Sequence, residues 1–313
     1  MPTLVWHYLT ALLYYRTSAS CVALAEALQS VSHDRLTRLL QADWSGQRLL
    51  ELTCRTLFVW RRGYLIIDDT VIAKPFATAI ESLAWVYSSR DHQPVYGLSL
   101  VLLVWTNGTV RLPLGLRLWH KGGPSKYDLA LELLSYARNR LRCRPEYVLF
   151  DAWYPSKRLL KRIRDYGWYF VCRVKKNRRF NGHAVRQHRR HPYWTEIGRL
   201  SGGLKVRIVR YGKKYYATNR LTLSAAEVRR LYRVRAQIEE VIRVCKAQLA
   251  LTGCQARSER AQVHHIACCL SAFCVLERER CDQQLSIYKL KRQLSCQGQS
   301  CALPALERLK RTA

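Results

Sequence analysis

Apolar residues follow two rhythms along this chain, and the points where one gives way to the other mark its elements. Through residue 62 the spacing is helical: Val22, Leu24 and Leu28, then Leu36, Leu39 and Leu40, predict two short helices meeting near Ser32-His33. Such a pair fits a helix-turn-helix that grips DNA, and it equally fits a helical hairpin laid over a sheet, which is the plainer reading. From Tyr64 the run Tyr-Leu-Ile-Ile-Asp-Asp-Thr is short, apolar and closed by acids, as expected of a buried strand with charge at its tip. Tyr96–Trp105 and Thr109–Trp119 flank Asn107-Gly108, which predicts a β-hairpin. A helix follows over Ser125–Leu141, then a second acid-tipped strand over Tyr147–Asp151, a helix from Pro155-Ser156 to about Arg164, and a strand over Trp168–Val174. Strands alternating with helices after a hairpin predict an α/β fold with a sheet of mixed direction, flanked by helices.

Residues 175–217 break this pattern. They are polar, basic and rich in turn signals such as Asn181-Gly182, His191-Pro192 and Gly202-Gly203, which suggests a small β-rich insertion. Helices are expected again from Ser224 to about Leu251 and from about Glu259 to Arg280, and the last thirty residues read as a basic, frayed tail. The organisation expected is an N-terminal helical region (1–62), an α/β domain in two pieces (63–174 and 218–280), the insertion (175–217) and the C-terminal tail (281–313).

Charge adds a partner. Lys and Arg number 53 against 22 Asp and Glu, a net charge of +31, far beyond what solubility asks for. Between Arg173 and Arg190 there are eight Lys or Arg and no acid. A polyanion is the natural counterweight, nucleic acid above all. No apolar run approaches the roughly 18 residues that a membrane span needs, so no membrane is expected. Twelve cysteines are scattered singly apart from Cys268-Cys269, and no secretory leader pattern precedes them, so a reduced, cytoplasmic setting is expected. His264, His265, Cys268 and Cys269 carry ligand-type side chains at helical spacing, but without a Cys-x-x-Cys pair they read as core side chains.

Acids are scarce, which makes those at strand ends informative. Asp68 and Asp69 close one strand and Asp151 closes another, and the carboxyl ends of neighbouring strands are where α/β sheets bind ligands. A single strand-end aspartate could equally cap the turn or helix that follows. On the helix from Ser224, residues Tyr232, Arg235, Glu239 and Lys246 fall within a stripe about 60° wide at about 100° per residue. That stripe could be an ion-pair ladder alone. Val234, Ile238, Val241, Ile242 and Cys245 form the adjoining apolar face. No phosphate loop, Gly-x-Ser-x-Gly or Gly-x-Gly-x-x-Gly is present, so no small-molecule substrate of those classes is implied.

The spacing Tyr-x2-Arg-x3-Glu-x6-Lys, with Asp68-Asp69-Thr70 and the strand Tyr147–Asp151 followed by a Tyr-containing turn, resembles bacterial DDE transposases of the insertion-sequence-four superfamily. The likeness covers roughly residues 63–250. It implies an RNase H-like fold with a β-rich insertion before the glutamate-bearing helix, and an enzyme that cleaves and transfers DNA strands. Carried over position by position, Asp68, Asp151 and Glu239 become the catalytic, metal-binding triad for two Mg2+ or Mn2+ ions. Asp69 is the alternative first acid, since neighbouring strand residues face opposite ways. Tyr232, Arg235 and Lys246 become DNA contacts, joined by Lys175 and Lys176, and Trp194 or Tyr193 is a candidate base-stacking aromatic that could equally be an apolar anchor of the insertion. The implied partners are double-stranded DNA, as terminal inverted repeats and target, and a second copy of the chain in a homodimer on that DNA. The implied setting is the bacterial cytoplasm, at the nucleoid. The competing expectations are an inactive DNA-binding protein of the same fold and an RNase H-like nuclease without strand transfer.

Overall fold

The structure, a computed structural model, describes residues 1–15, 19–60, 62–88, 92–188 and 191–312. Arg189 and Arg190, the end of the basic run, lie outside the described residues, as do Arg16, Thr17, Ser18 and Arg61 of the N-terminal region. Four helices open the chain: α1 (Leu4–Tyr14), α2 (Cys21–Leu28), α3 (His33–Gln41) and α4 (Gly46–Leu57). Then come β1 (Tyr64–Ala73), β2 (Ala84–Ser88), β3 (Gln93–Thr106), β4 (Arg111–Trp119), α5 (Lys126–Asn139), β5 (Tyr147–Phe150), α6 (Lys157–Asp165) and β6 (Tyr169–Val174). The short strands β7 (Arg179–Phe180) and β8 (His183–Ala184) pair with each other and precede β9 (Tyr193–Arg199), β10 (Lys205–Tyr211) and β11 (Lys214–Thr218). Helices α7 (Ala225–Arg233), α8 (Ala236–Gln248), α9 (Glu259–Gln283), α10 (Ile287–Gln297) and α11 (Pro304–Thr312) complete the chain.

Serine starts most of these helices. The side chains of Ser20, Ser45, Ser125, Ser156, Ser224, Ser258 and Ser286 each accept a hydrogen bond from a backbone N–H in the first turn of the helix that follows. Each cap satisfies an N–H that the helix cannot pair itself. In the hairpin, the carboxamide of Asn107 accepts from Thr109 N–H and Val110 N–H and so turns β3 into β4.

The sheet runs β2-β3-β1-β5-β6-β11-β10-β9, with β4 also paired to β3. Strands β1, β5 and β6 are parallel neighbours, while β3 lies antiparallel to β1. Residues 175–217, read from the sequence as a small β-rich insertion, carry strands, and the structure adds where those strands pair. Strand β11 pairs antiparallel with β6, and β10 and β9 follow it, so most of the segment continues the main sheet. Its apolar positions Val206, Ile208, Val209, Tyr215 and Ala217 are buried, and they need the same core as β6. Strand β2 was not expected, because Trp85 and Tyr87 stand exposed on it and leave no apolar alternation to read.

The reading of residues 281–313 as a frayed tail is also corrected. Helices α10 and α11 pack on α9, α1 and α4 through buried Leu290, Leu294, Leu306 and Leu309. Helix α9 is the axis of this side, buried from Ala261 to Leu276 at nearly every position. The basic composition misleads because a cation is used internally. Lys291 is fully buried, and its Nζ donates to Leu12 O (2.7 Å), Leu13 O (2.6 Å) and Tyr15 O (3.1 Å), closing the carbonyl end of α1. Glu277, fully buried on α9, similarly accepts from Arg111 and Arg280. Lys291→Ala would leave those carbonyls unpaired beside a cavity, with an expected cost of about 2–4 kcal/mol. Urea unfolding of the purified variant checks this, and an unchanged midpoint would count against the buried-lysine account.

Candidate active site

The register of β1 against β5 fixes the first two acids. Ile67 pairs with Phe150 in parallel, so the next residues along the two strands are Asp68 and Asp151. Asp68 and Asp69 then diverge, as strand alternation requires. Asp69 accepts from Lys126 Nζ (2.5 Å) on α5 and from Tyr154 OH (3.0 Å) in the turn after β5. Asp68 accepts instead from Arg235, between α7 and α8. Asp151 holds its turn by accepting the N–H of Trp153 at 2.8 Å.

Tyr232, Arg235, Glu239 and Lys246 do not share one unbroken helix, which corrects the expectation of a continuous helix from Ser224. Helix α7 ends at Arg233 and α8 begins at Ala236. Across the junction Val234 N–H, Arg235 N–H, Gln237 N–H and Ile238 N–H each bond to the carbonyl three residues back, tightening the turn to 3₁₀ pitch. Apolar residues run through the break, so periodicity gives no sign of it. Tyr232 packs edge-on against Tyr216 of β11, ring centres 5.1 Å apart. Arg235 donates through one Nη to Asp68 and through the other to Glu239. Lys246 Nζ donates to Thr70 Oγ1 (2.8 Å) and Val71 O (2.7 Å), tying α8 to β1 two residues past Asp68. The threonine of the Asp-x-Thr run is therefore used to anchor a helix.

Electrostatics follow the burial. Desolvation lifts the Asp68 carboxyl to about 7; Arg235 pulls the other way, and the charges of Asp151 and Asp69 add to the rise. Burial works against the charge of Arg235, but Asp68, Tyr232 and Glu239 outweigh it and hold the guanidinium firmly protonated. The Tyr154 hydroxyl is pushed well up by burial and then by Asp69, Asp68 and Asp151.

The donor set of Asp68, Asp151 and Glu239 is oxygen only, which suits a hard divalent cation. Two of its members come from neighbouring strands: Asp68 lies within β1, which runs on to Ala73 paired with β3 instead of ending at the acids as the sequence suggested, and Asp151 directly follows the end of β5. The third is joined to Asp68 through Arg235, and among the described residues no three His, Cys, Asp or Glu side chains gather into a ready metal cluster. The Asp68 side chain is 15% exposed and that of Glu239 is 58% exposed, so the glutamate stands at the solvent side of the pair. The residues fit such an ion chemically, and the guanidinium supplies the positive charge between them.

Around the acids, Lys175 and Lys176 are exposed just after β6, and Lys175 Nζ lies 4.6 Å from the ring centre of Trp153. Trp153 is half exposed and stacks on Tyr127, the planes 9° apart. Trp194, a candidate for base stacking or for an apolar anchor, is buried against His188 in the sheet extension and so has the place of an anchor. Tyr193 next to it is exposed and packs on Tyr211. Sequence reasoning missed Lys126, Tyr127, Trp153 and Tyr154. The local signal after the second acid is no more than a Tyr-containing turn, and Lys126 lies 57 residues from the Asp69 it neutralises. His264, His265, Cys268 and Cys269 lie in the core, with His264 bonded to Leu40 O and Trp44 O and His265 to Tyr8 and Ala250 O.

Residues 60–275 match a family model described as the transposase DDE domain. The chain belongs to the DDE transposase family. A solved piggyBac transposase, described as a synaptic complex with hairpin DNA, is similar in fold, with a TM-score of 0.58 and 12% identity over 98% of this chain and 75% of that one. Its likeness supports the RNase H-like fold. A Mos1 strand transfer complex matches 48% of this chain and 52% of its own at 16% identity, with a TM-score of 0.22 too low to carry an argument. No curated protein matches the sequence. DDE transposases are divalent-metal-dependent enzymes, and no helix among the described residues is long and apolar enough to cross a membrane.

The raised Asp68 pKa in this transposase has a definite sign for stability. The native state holds the proton up to about pH 7 while the unfolded chain releases it near 4, so the contribution of Asp68 to stability falls as pH rises through that window and is level above it, against an opposite contribution from buried His265, whose pKa is held down to about 4. Asp68→Asn should remove this fall. Chemical denaturation of both proteins without added metal at about pH 5 and pH 8 measures it, and identical pH slopes would refute the raised value.

Proposed function

We propose that this transposase cuts DNA at the ends of a mobile element and joins the freed ends to target DNA, with Asp68, Asp151 and Glu239 as its metal ligands. Two Mg2+ or Mn2+ ions, when bound, would supply an activated water or 3′-hydroxyl and a counter-charge on the leaving oxygen. The observation carrying this reading is the β1–β5 register, which sets Asp68 within β1 beside Asp151 at the end of β5, with Glu239 joined to Asp68 through one arginine. The Tyr-x2-Arg-x3-Glu-x6-Lys spacing supports placement in the insertion-sequence-four superfamily.

The chain's own groups have separable tasks. Asp68 within β1 and Asp151 just past β5 sit on paired strands and provide fixed oxygen ligands, while Glu239 adds its carboxylate from α8. Arg235 suits a phosphate through its planar fork. Lys175 and Lys176 extend positive charge along a strand path beside the acids, and Lys246 sets the distance of α8 from β1. Asp69, neutralised by Lys126 and bonded by Tyr154, faces the other side of β1. Double-stranded DNA as partner is supported by the +31 charge and by the DNA complexes of structurally similar transposases. We further propose that the enzyme works as a homodimer on paired ends, in the bacterial cytoplasm at the nucleoid.

Asp151→Ala or Glu239→Gln should lower metal-dependent nicking of a DNA end by roughly a thousandfold or more, with DNA affinity largely kept. Cleavage assays with fluorescently labelled ends, run beside anisotropy binding curves, check both halves. Joining of a pre-cut 3′ end to plasmid separates a transposase from a nuclease, and failure of the wild type to join would sink the strand-transfer half. Duplex binding should also weaken on the order of a thousandfold between about 50 and 200 mM salt, as counterion release by many lysines and arginines requires. A flat salt dependence in the same anisotropy assay would exclude a phosphate-dominated interface.

A further inference from the structure

Arg235 does not make the usual two-pronged contact with a single carboxylate. Its two Nη atoms engage acids from different elements, Asp68 on β1 and Glu239 on α8. Its side chain is 17% exposed. In such a setting charges are weakly screened, and an acid pair without a cation is expensive. Asp69 has its own cation in Lys126, so Arg235 is the basic side chain bonded to both Asp68 and Glu239. We propose that Arg235 is the resident counter-ion of the acidic site, so that a divalent cation bound by Asp68 and Glu239 must displace its guanidinium and thereby frees this arginine for DNA phosphate.

The inference rests on the metal-ligand reading above and adds a competition to it. A divalent ion and a guanidinium beside the same carboxylates repel each other, so the two occupancies are largely exclusive. The position of Arg235 makes exchange inexpensive. It lies in the 3₁₀-pitched junction between α7 and α8, outside the regular helical bonding on either side. The Tyr232 ring, with its centre 6.0 Å from the guanidinium, offers an apolar face as the arginine leaves the acids. Phosphate competes for the same guanidinium, so metal and DNA each strengthen the binding of the other by a common factor.

Mn2+ binding to the full chain without DNA, followed by calorimetry and by the loss of the free-ion paramagnetic signal, tests the proposal. Arg235→Gln should bind Mn2+ about tenfold tighter than wild type, and Arg235→Lys should fall between, because a lysine cannot bridge both acids. Adding a short duplex to wild type should tighten Mn2+ binding, and this gain should shrink in Arg235→Gln. Unchanged or weaker Mn2+ binding in Arg235→Gln overturns the proposal. Asp151→Asn distinguishes the two levels: if it leaves Mn2+ binding intact in wild type and in Arg235→Gln alike, the metal site itself is refuted.

Discussion

The parallel pairing of β1 with β5 is the constraint on which the rest of the site depends. It brings Asp68, within β1, beside Asp151 at the end of β5, with a third acid next in sequence to Asp68. Like charges in a half-buried place are unfavourable, and the rise of Asp68 to about 7 reflects that cost on top of its desolvation. The surroundings answer it acid by acid. Lys126 and Tyr154 serve Asp69, the Trp153 N–H serves Asp151, and Arg235 serves Asp68 together with Glu239. A site poised this way is stabilised by any further cation that its carboxylates can reach, which is the physical link between the sheet register and a metal-dependent transposase.

Much of the sheet was legible because its signals are local. Asn107-Gly108 turns β3 into β4, serines open the helices, and the acid-tipped apolar runs mark β1 and β5. The acids stood out because so few acids are present against so many bases. What stayed hidden depends on distance in sequence. The pairing of β11 with β6 joins strands about forty residues apart, and nothing in their own alternation distinguishes a separate insertion from an extended sheet. Lys291 looks like part of a solvated tail, whereas its ammonium closes a helix about 280 residues earlier. Trp194 suggests base stacking by its residue type, but its side of β9 faces the core.

The break between α7 and α8 was invisible for a different reason, and it bears most directly on the chemistry. A continuous helix would place Glu239 in mid-helix. Ending α7 at Arg233 and restarting at Ala236 puts Glu239 in the first turn of α8, where the helix dipole favours a carboxylate. The far end of the same helix is fixed by Lys246 on Thr70 and Val71, and by Val241, Val244 and Cys245 in the core. Glu239 lies about two turns before Lys246. Any approach of Glu239 toward Asp68 and Asp151 is therefore confined to the first turn of α8 and the junction before it. One end of the helix sets the distance from the sheet, and the other end carries both the acid and the arginine that shields it.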